Sequence, residues 1–339
     1  MKTVLPDNLA RILAVTIGGL GDAILFSPVL KALRKRYPQA QITLLCASPL
    51  VNEAYSICKE IDYCAIVNTK QKNIIAKVSR FLSYSLRSRI SGGYDIGVFA
   101  TGLNKHLSYL LKLTAGVQRI YRAPSFPSYR TDLICNVQLA RIFDKGISEN
   151  DVFIGSNDNS LVKNNSVYPY SQTALTSIKF IAVYPSTDLL HRPRWELNKL
   201  IQVIRELKRN GFDGKFVLVG SSEEGREWDS IDTDGVVDLN FAGKLTLPEI
   251  AELLKNASLV IGNDGGLIHV AGSAGCPLVA IMPNSPAHYH PAGNNTKVIR
   301  SNHKCCHGRY PKRPASCETA ICTQDISIEH VVKTCQDFI

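Results

Sequence analysis

No stretch of this 339-residue chain comes near the roughly 18 consecutive apolar residues that cross a bilayer. The N-terminus, MKTVLPDNLARILAV, places Pro6, Asp7 and Arg11 where an export signal carries its apolar region, so a cytoplasmic location is expected. Zinc-finger, RNA-recognition and repeat signatures are missing too, which weakens nucleic acid as a partner despite a formal net charge of +10. The positive balance, clustered locally at Lys31 to Arg36, Arg119 to Arg130 and Lys304 to Arg313, suits a membrane surface or a phosphorylated sugar better. What is present is ordinary for a globular protein: 45% hydrophobic and 20% charged residues. The length allows two domains, because single cores rarely grow past roughly 250–300 residues.

The ten cysteines include no C-x-x-C pair, the usual hook of a tetrahedral metal site. Without an export signal they are expected as reduced thiols. Cys46, Cys64, Cys135 and Cys276 sit in apolar surroundings and read as core residues. Cys305, Cys306, Cys317 and Cys322 crowd into 18 residues, with His307 among them and His303 just before. A reduced cluster packing a loop is one reading of that segment, and a structural zinc or iron site is the other.

Strand-like and helix-like segments alternate in two series. In the first, Arg11 to Ile17, Gln41 to Cys46, Tyr63 to Val67 and Tyr94 to Ala100 read as strands. Helices are expected at Ala23 to Tyr37, Val51 to Cys58, Asn73 to Ile90, His106 to Thr114 and Thr131 to Phe143. Residues 156–176 are polar and rich in Asn and Ser, and read as a linker. The pattern restarts with strands at Ser177 to Tyr184, Lys215 to Gly220, Val236-Val237, Ala257 to Ile261 and Leu278 to Met282, interleaved with helices. Two βα series of similar size predict an α/β fold of two Rossmann-like, doubly wound domains. The expected boundaries are 1–155 for the first domain and 177–325 for the second, which holds the cysteine-rich segment 303–322. A last helix occupies 326–339. Ligands of such folds bind beyond the carboxyl ends of the strands, so a cleft between the domains is the expected site.

Two segments carry the chemistry. In Gly262-Asn263-Asp264-Gly265-Gly266-Leu267-Ile268-His269, an apolar strand runs through a glycine turn into a helix. Adjacent glycines let the backbone approach a ligand closely, and the free N–H groups of the helix start favour an anion, most naturally a phosphate. An ordinary βα turn, with Asp264 as a cap and His269 half-buried, is the plain alternative. The counterpart in the first series is Gly18-Gly19-Leu20-Gly21-Asp22, which lacks the G-x-G-x-x-G spacing of a dinucleotide site. It sets a carboxylate, Asp22, at a helix mouth, either as a cap or as a general base that accepts a proton from a hydroxyl. Asp232-Thr233-Asp234 matches the Asp-x-Asp metal motif superficially, but its place after a short helix reads as a solvated turn.

The opening RILAVTIGGLGDAILFSPVLKALRKRYPQAQITLL and the later NDGGLIHVAGSAGCPLVAIM resemble the two signatures of bacterial glycosyltransferase family nine, the ADP-heptose:lipopolysaccharide heptosyltransferases. Tyr184-Pro185-Ser186 followed by Trp195 resembles that family's sugar-nucleotide loop, and the resemblance spans about residues 11 to 335. It implies the GT-B architecture and inverting sugar transfer without a required cofactor, with ADP-heptose as the expected donor. It implies Asp22 as the base, with Gly19 and Gly21 beside it on the acceptor side. Asp264, Gly265, Gly266, Leu267, His269 and Ser186 would face the donor, with Arg192 or Arg194 on its phosphates and Glu223 or Glu224 on its ribose. Gly265 departs from the Ser or Thr usual there, and Pro283 stands where a glycine is common.

Lys105, His106 and His288 lie on loops beyond strand ends and are candidate anchors for an anionic glycan or glycolipid acceptor. Such an acceptor brings peripheral contact with the cytoplasmic face of the inner membrane into view. Two other functions fit the same residues. A sugar-nucleotide epimerase would use Asp22 and Asp264 as acid and base on opposite faces of the sugar. A non-catalytic sugar-nucleotide-binding protein would bind without turnover.

Overall fold

A computed structural model of the chain describes residues 5–56, 58–67, 74–101, 103, 105–124, 132–154, 178–186, 194–232, 234–303 and 321–339. The chain divides into two compact units, Met1–Asp158 and Asn159–Ile339.

The first unit runs β1 (Arg11–Thr16), α1 (Leu20–Arg36), β2 (Gln41–Cys46), α2 (Pro49–Ala54), β3 (Tyr63–Ile66), α3 (Ile74–Ile90), β4 (Tyr94–Phe99), α4 (Lys105–Ala115), β5 (Val117–Arg122) and α5 (Asp132–Ala140). Its sheet has the order β3-β2-β1-β4-β5, with every pairing parallel. The central strand is the unbroken apolar run Ile12 to Val15, fully buried, as a strand covered on both faces requires.

The second unit runs β6 (Phe180–Tyr184), α6 (Leu197–Arg209), β7 (Lys215–Leu218), α7 (Ser222–Ile231), β8 (Leu239–Asn240), α8 (Leu247–Lys255), β9 (Leu259–Asn263), α9 (Gly266–Ala274), β10 (Leu278–Ile281), β11 (Thr296–Ile299), α10 (Ile321–Gln324) and α11 (Ile328–Gln336). Its sheet order is β11-β10-β9-β6-β7-β8, again parallel throughout. The strand order reverses between β1 and β4 in one unit and between β6 and β9 in the other. Open α/β sheets receive ligands at such points, just past the strand ends.

The expected α/β architecture of two Rossmann-like sheets is therefore present, with local differences. The first helix starts at Leu20 rather than Ala23, which puts Asp22 inside its first turn. The second-unit strand expected at Val236-Val237 lies at Leu239–Asn240 instead. The reason is Asp232, whose carboxylate accepts the N–H groups of both valines and holds them in a turn. The strands β5 and β11 were not anticipated; β5 lies where the sequence shows a basic cluster, and two of its six residues are exposed.

α1 tolerates Pro28 because other donors serve its carbonyls. Proline removes the N–H that Ile24 would receive. Ser27 Oγ donates to Ile24 at 2.7 Å, Tyr55 Oη to Ala23 at 3.0 Å and Asn136 Nδ2 to Leu25 at 3.1 Å. The last bond ties α5 to α1 and brings the starts of both helices together. Among the described residues no helix is long and apolar enough to cross a membrane.

Candidate functional site

In the first unit the loop after β1 turns directly into α1. Asp22 is the third residue of that helix and reaches back, its Oδ2 accepting the Gly19 N–H at 2.6 Å. A Cβ at residue 18 would collide with this carboxylate, so Gly18 is the residue that admits the fold-back. Asp22 is half-buried and caps its own helix, while Gly19 beside it is exposed. The capping geometry foreseen for this carboxylate is realised, and it also holds the group at the loop.

A second carboxylate stands nearby. Asp132 opens α5, and burial together with the charge of Asp22 pushes its carboxyl up to about 6. Sequence reasoning missed it, since the two aspartates are 110 positions apart and Asp132 reads alone as an ordinary first-turn acid. Lys105 and His106 open α4 beyond β4, both exposed. A cation at the positive end of a helix is unfavourable unless an anion joins it.

In the second unit four strand ends contribute to one polar cluster. Asn263, at the end of β9 and 1% exposed, is its keystone. Its Oδ1 accepts the Trp195 N–H at 3.0 Å, and its Nδ2 donates to the carbonyls of Pro185 at 2.8 Å and Trp195 at 3.1 Å. That fixes the turn after β6 against the fully buried Trp195, whose indole N–H reaches Ile326. Ser186 adopts φ +59°, rare for a residue with a side chain. Two bonds hold it there: Ser186 Oγ donates to the Asp264 carbonyl at 2.8 Å, and Arg194 donates to the Ser186 carbonyl at 2.8 Å.

The remaining members surround Asp264 and Tyr184. Ser285, beyond β10, donates its hydroxyl to Asp264 Oδ2. The Tyr184 hydroxyl lies beside Ser186 and Glu224, and burial is the main reason its proton is held more tightly than in free tyrosine. Glu224, buried at the start of α7, accepts the Ser221 N–H at 2.6 Å in a capping box, whereas Glu223 is exposed. At the start of α9, Gly265 is fully extended, and a Cβ there would lie 2.5 Å from Tyr184 Oη and 2.8 Å from Ser186 Oγ. Among the described residues the N–H groups of Gly265 and Gly266 have no protein acceptor. Leu267 and His269 are buried in the first turns of α9.

Arg194 is paired with a carboxylate. Its guanidinium grips Glu227 through two bonds, at 2.8 and 2.5 Å, and holds that carboxyl below its ordinary range. Asp232 is likewise occupied, accepting from Trp228 Nε1 at 3.0 Å, and Asp234 pairs with Arg205. Among the described residues no three His, Cys, Asp or Glu side chains gather to hold a metal. Arg192, Cys305, Cys306 and Cys317 lie outside the described residues, as does the side chain of His288; Cys322 is buried. Tyr184 and Asn263 stood in the sequence motifs without a role assigned to them, and Glu227 and Ser285 were not singled out by sequence reasoning. Glu227 lies inside α7, and Ser285 follows β10.

Residues 156–317 match the sequence profile of glycosyltransferase family 9 (heptosyltransferase). Lipopolysaccharide heptosyltransferase 2 of Escherichia coli K12 is 24% identical over 324 residues, 86% of this chain and 88% of that protein. Among solved structures, a family 9 glycosyltransferase from Veillonella parvula superposes with a TM-score of 0.72 at 19% identity, covering 98% of each chain. The structure of E. coli ADP-heptose lipopolysaccharide heptosyltransferase II gives a TM-score of 0.67 at 19% identity, over 97% of this chain and 98% of that one.

Proposed function

We propose that this chain, whose residues 156–317 match glycosyltransferase family 9, moves a heptose from ADP-heptose to an anionic, lipid-linked glycan such as a lipopolysaccharide core. The observation that carries the reading is the start of α9: two glycine amides without an acceptor among the described residues, set among Asp264, Tyr184 and Ser186 at the strand-order reversal of the second sheet. A diphosphate fits an N-terminal helix end of this kind, where N–H groups and the helix dipole meet its charge.

In this reading residues 177–325 take the nucleotide sugar and residues 1–155 take the acceptor. Gly265 and Gly266 offer their N–H groups to the diphosphate, and Asp264, fixed by Ser285, orients the donor sugar. Glu224 is preferred to Glu223 for the ribose hydroxyls because it belongs to the Tyr184 cluster. Arg192 is preferred to Arg194 for the phosphates, since Arg194 already holds Glu227 and Ser186. Asp22 takes the proton of the acceptor hydroxyl as its oxygen attacks the anomeric carbon from the face opposite the leaving ADP. The product is inverted at that carbon, and the charge growing on the diphosphate falls on the helix amides. Lys105 and His106 anchor the acceptor's negative groups, next to Gly19 and Gly21. The reaction belongs on the cytoplasmic face of a membrane carrying the acceptor.

Calorimetry with ADP, UDP and GDP sugars tests the donor assignment. Tightest binding of ADP-heptose supports it. Tighter binding of a UDP or GDP sugar contradicts it.

A further inference from the structure

The charge of this chain is not evenly placed. Residues 63 to 131 hold eleven of its 39 Lys and Arg residues and one of its 29 Asp and Glu residues, which leaves 28 of each in the rest. The whole net charge of +10 therefore resides in about a fifth of the sequence. The single acid, Asp95, faces inward to the chain: its carboxylate accepts the N–H groups of Ala10 and Arg11 at 2.7 and 2.9 Å.

The same segment forms α3 and α4, which pack side by side against one face of the first sheet. Ser85 and Ser88 of α3, and Ser108, Leu111 and Ala115 of α4, point inward and are buried. The outward positions are apolar. Leu82, Leu86 and Ile90 recur four residues apart and form a stripe along α3, with Leu86 58% and Ile90 77% exposed. Tyr109, Leu110 and Leu113 form an exposed apolar patch on α4, with Leu113 70% exposed. The Arg89 guanidinium donates to the Leu113 carbonyl, so the stripe and the patch meet near the C-terminal ends of the two helices. Arg87, Lys112 and Arg119 are exposed around them and have no carboxylate partner among the described residues.

A surface helix ordinarily turns its apolar side to the core and its polar side to water. Here large apolar side chains face out on two adjacent helices inside a field of uncompensated positive charge. A second copy of this chain would bring the same cationic, acid-free face against itself, which is repulsive. An anionic bilayer complements both features, since apolar side chains enter the headgroup boundary while Lys and Arg meet lipid phosphates.

We propose that the outward face of α3 and α4 docks the chain on an anionic lipid bilayer. This deepens the lipid-linked-acceptor reading given above, but it is testable without turnover. The full chain is floated with vesicles of phosphatidylglycerol and phosphatidylcholine in equal parts, and with phosphatidylcholine alone. The wild type is expected to float with the anionic vesicles only, and less in high salt. Leu86→Glu with Leu113→Glu is expected to lower the bound fraction about ten-fold or more, with the thermal melt and ADP binding unchanged. Leu50→Glu, at an exposed leucine on α2, is expected to float like the wild type. No flotation of the wild type, or flotation of the double variant at the wild-type level, overturns the proposal. So does a wild-type dimer in sedimentation that the double variant dissociates, because a second copy would then cover the face.

Discussion

The hydroxyl of Tyr184 occupies the space a side chain at Gly265 would need, 2.5 Å from where its Cβ would sit. The family resemblance places Ser or Thr at 265, and this chain fills the gap from the neighbouring strand. A phenol and the Ser186 hydroxyl thus line the start of α9 in place of a side chain on the helix itself.

Restoring the family's residue should therefore be harmful here. Gly265→Ser is expected to cost about 1–3 kcal/mol of stability through overpacking and to weaken ADP binding about ten-fold or more. Adding Tyr184→Ala should recover much of both losses, because it clears the site. Thermal melts and calorimetry read the two quantities; a Gly265→Ser protein as stable and as tight-binding as the wild type contradicts the packing argument.

Asn263 offers a sharper structural test. Its amide makes three bonds that hold Pro185 and Trp195 together, and it is buried. Asn263→Ala leaves those buried backbone groups unpaired, and a loss of about 2–4 kcal/mol is expected in urea unfolding. A loss under half a kcal/mol, on the order of a neutral surface change, would show that the turn after β6 does not depend on it.

Asp132 sets a pH dependence of defined sign. Its carboxyl titrates higher in the folded chain than the ordinary aspartate value, at about 6. Its favourable contribution to stability is full below the ordinary value near 3.8 and is lost as pH rises through about 6. Asp132→Asn should therefore be relatively more stable than the wild type at pH 7 than at pH 4, as urea melts at both values would read. An equal effect at the two pH values contradicts the burial of the Asp132 carboxyl near Asp22.

Glu227 works in the opposite direction. The Arg194 bond lowers its titration below the ordinary value of 4.5, so its contribution is present above that value and disappears as pH falls through the lowered one. Glu227→Gln should flatten the acid limb of the stability curve below pH 4.5. It should also loosen Ser186, whose carbonyl shares the Arg194 guanidinium. An unchanged acid limb removes the pair from the account.

Much of this was legible in the sequence, and the exceptions share a cause. Strands buried on both faces write themselves as apolar runs, so β1, β6, β9 and β10 could be read directly. Exposed or short strands such as β5 and β8 carry no such mark. β8 was displaced because one side chain, Asp232, redirected two backbone N–H groups, a local contest that periodicity does not register. The glycine turns announced a helix after each, though the first begins at Leu20, three residues earlier than expected. Partners drawn from distant positions were not readable, as with Asp132 beside Asp22, Tyr184 over Gly265, or Glu227 paired with Arg194. The outward apolar side chains of α3 and α4 were hidden for another reason: their spacing is that of any amphipathic helix until the structure shows which side faces in.

The most direct test of the central claim combines two readings on one variant, Asp22→Asn. With ADP-heptose and a lipid-linked glycan acceptor, transfer is expected to fall by about a thousand-fold or more, while calorimetry shows ADP-heptose bound as in the wild type. Transfer at the wild-type rate by this variant would contradict the account, for the proton would then leave the acceptor by some other group.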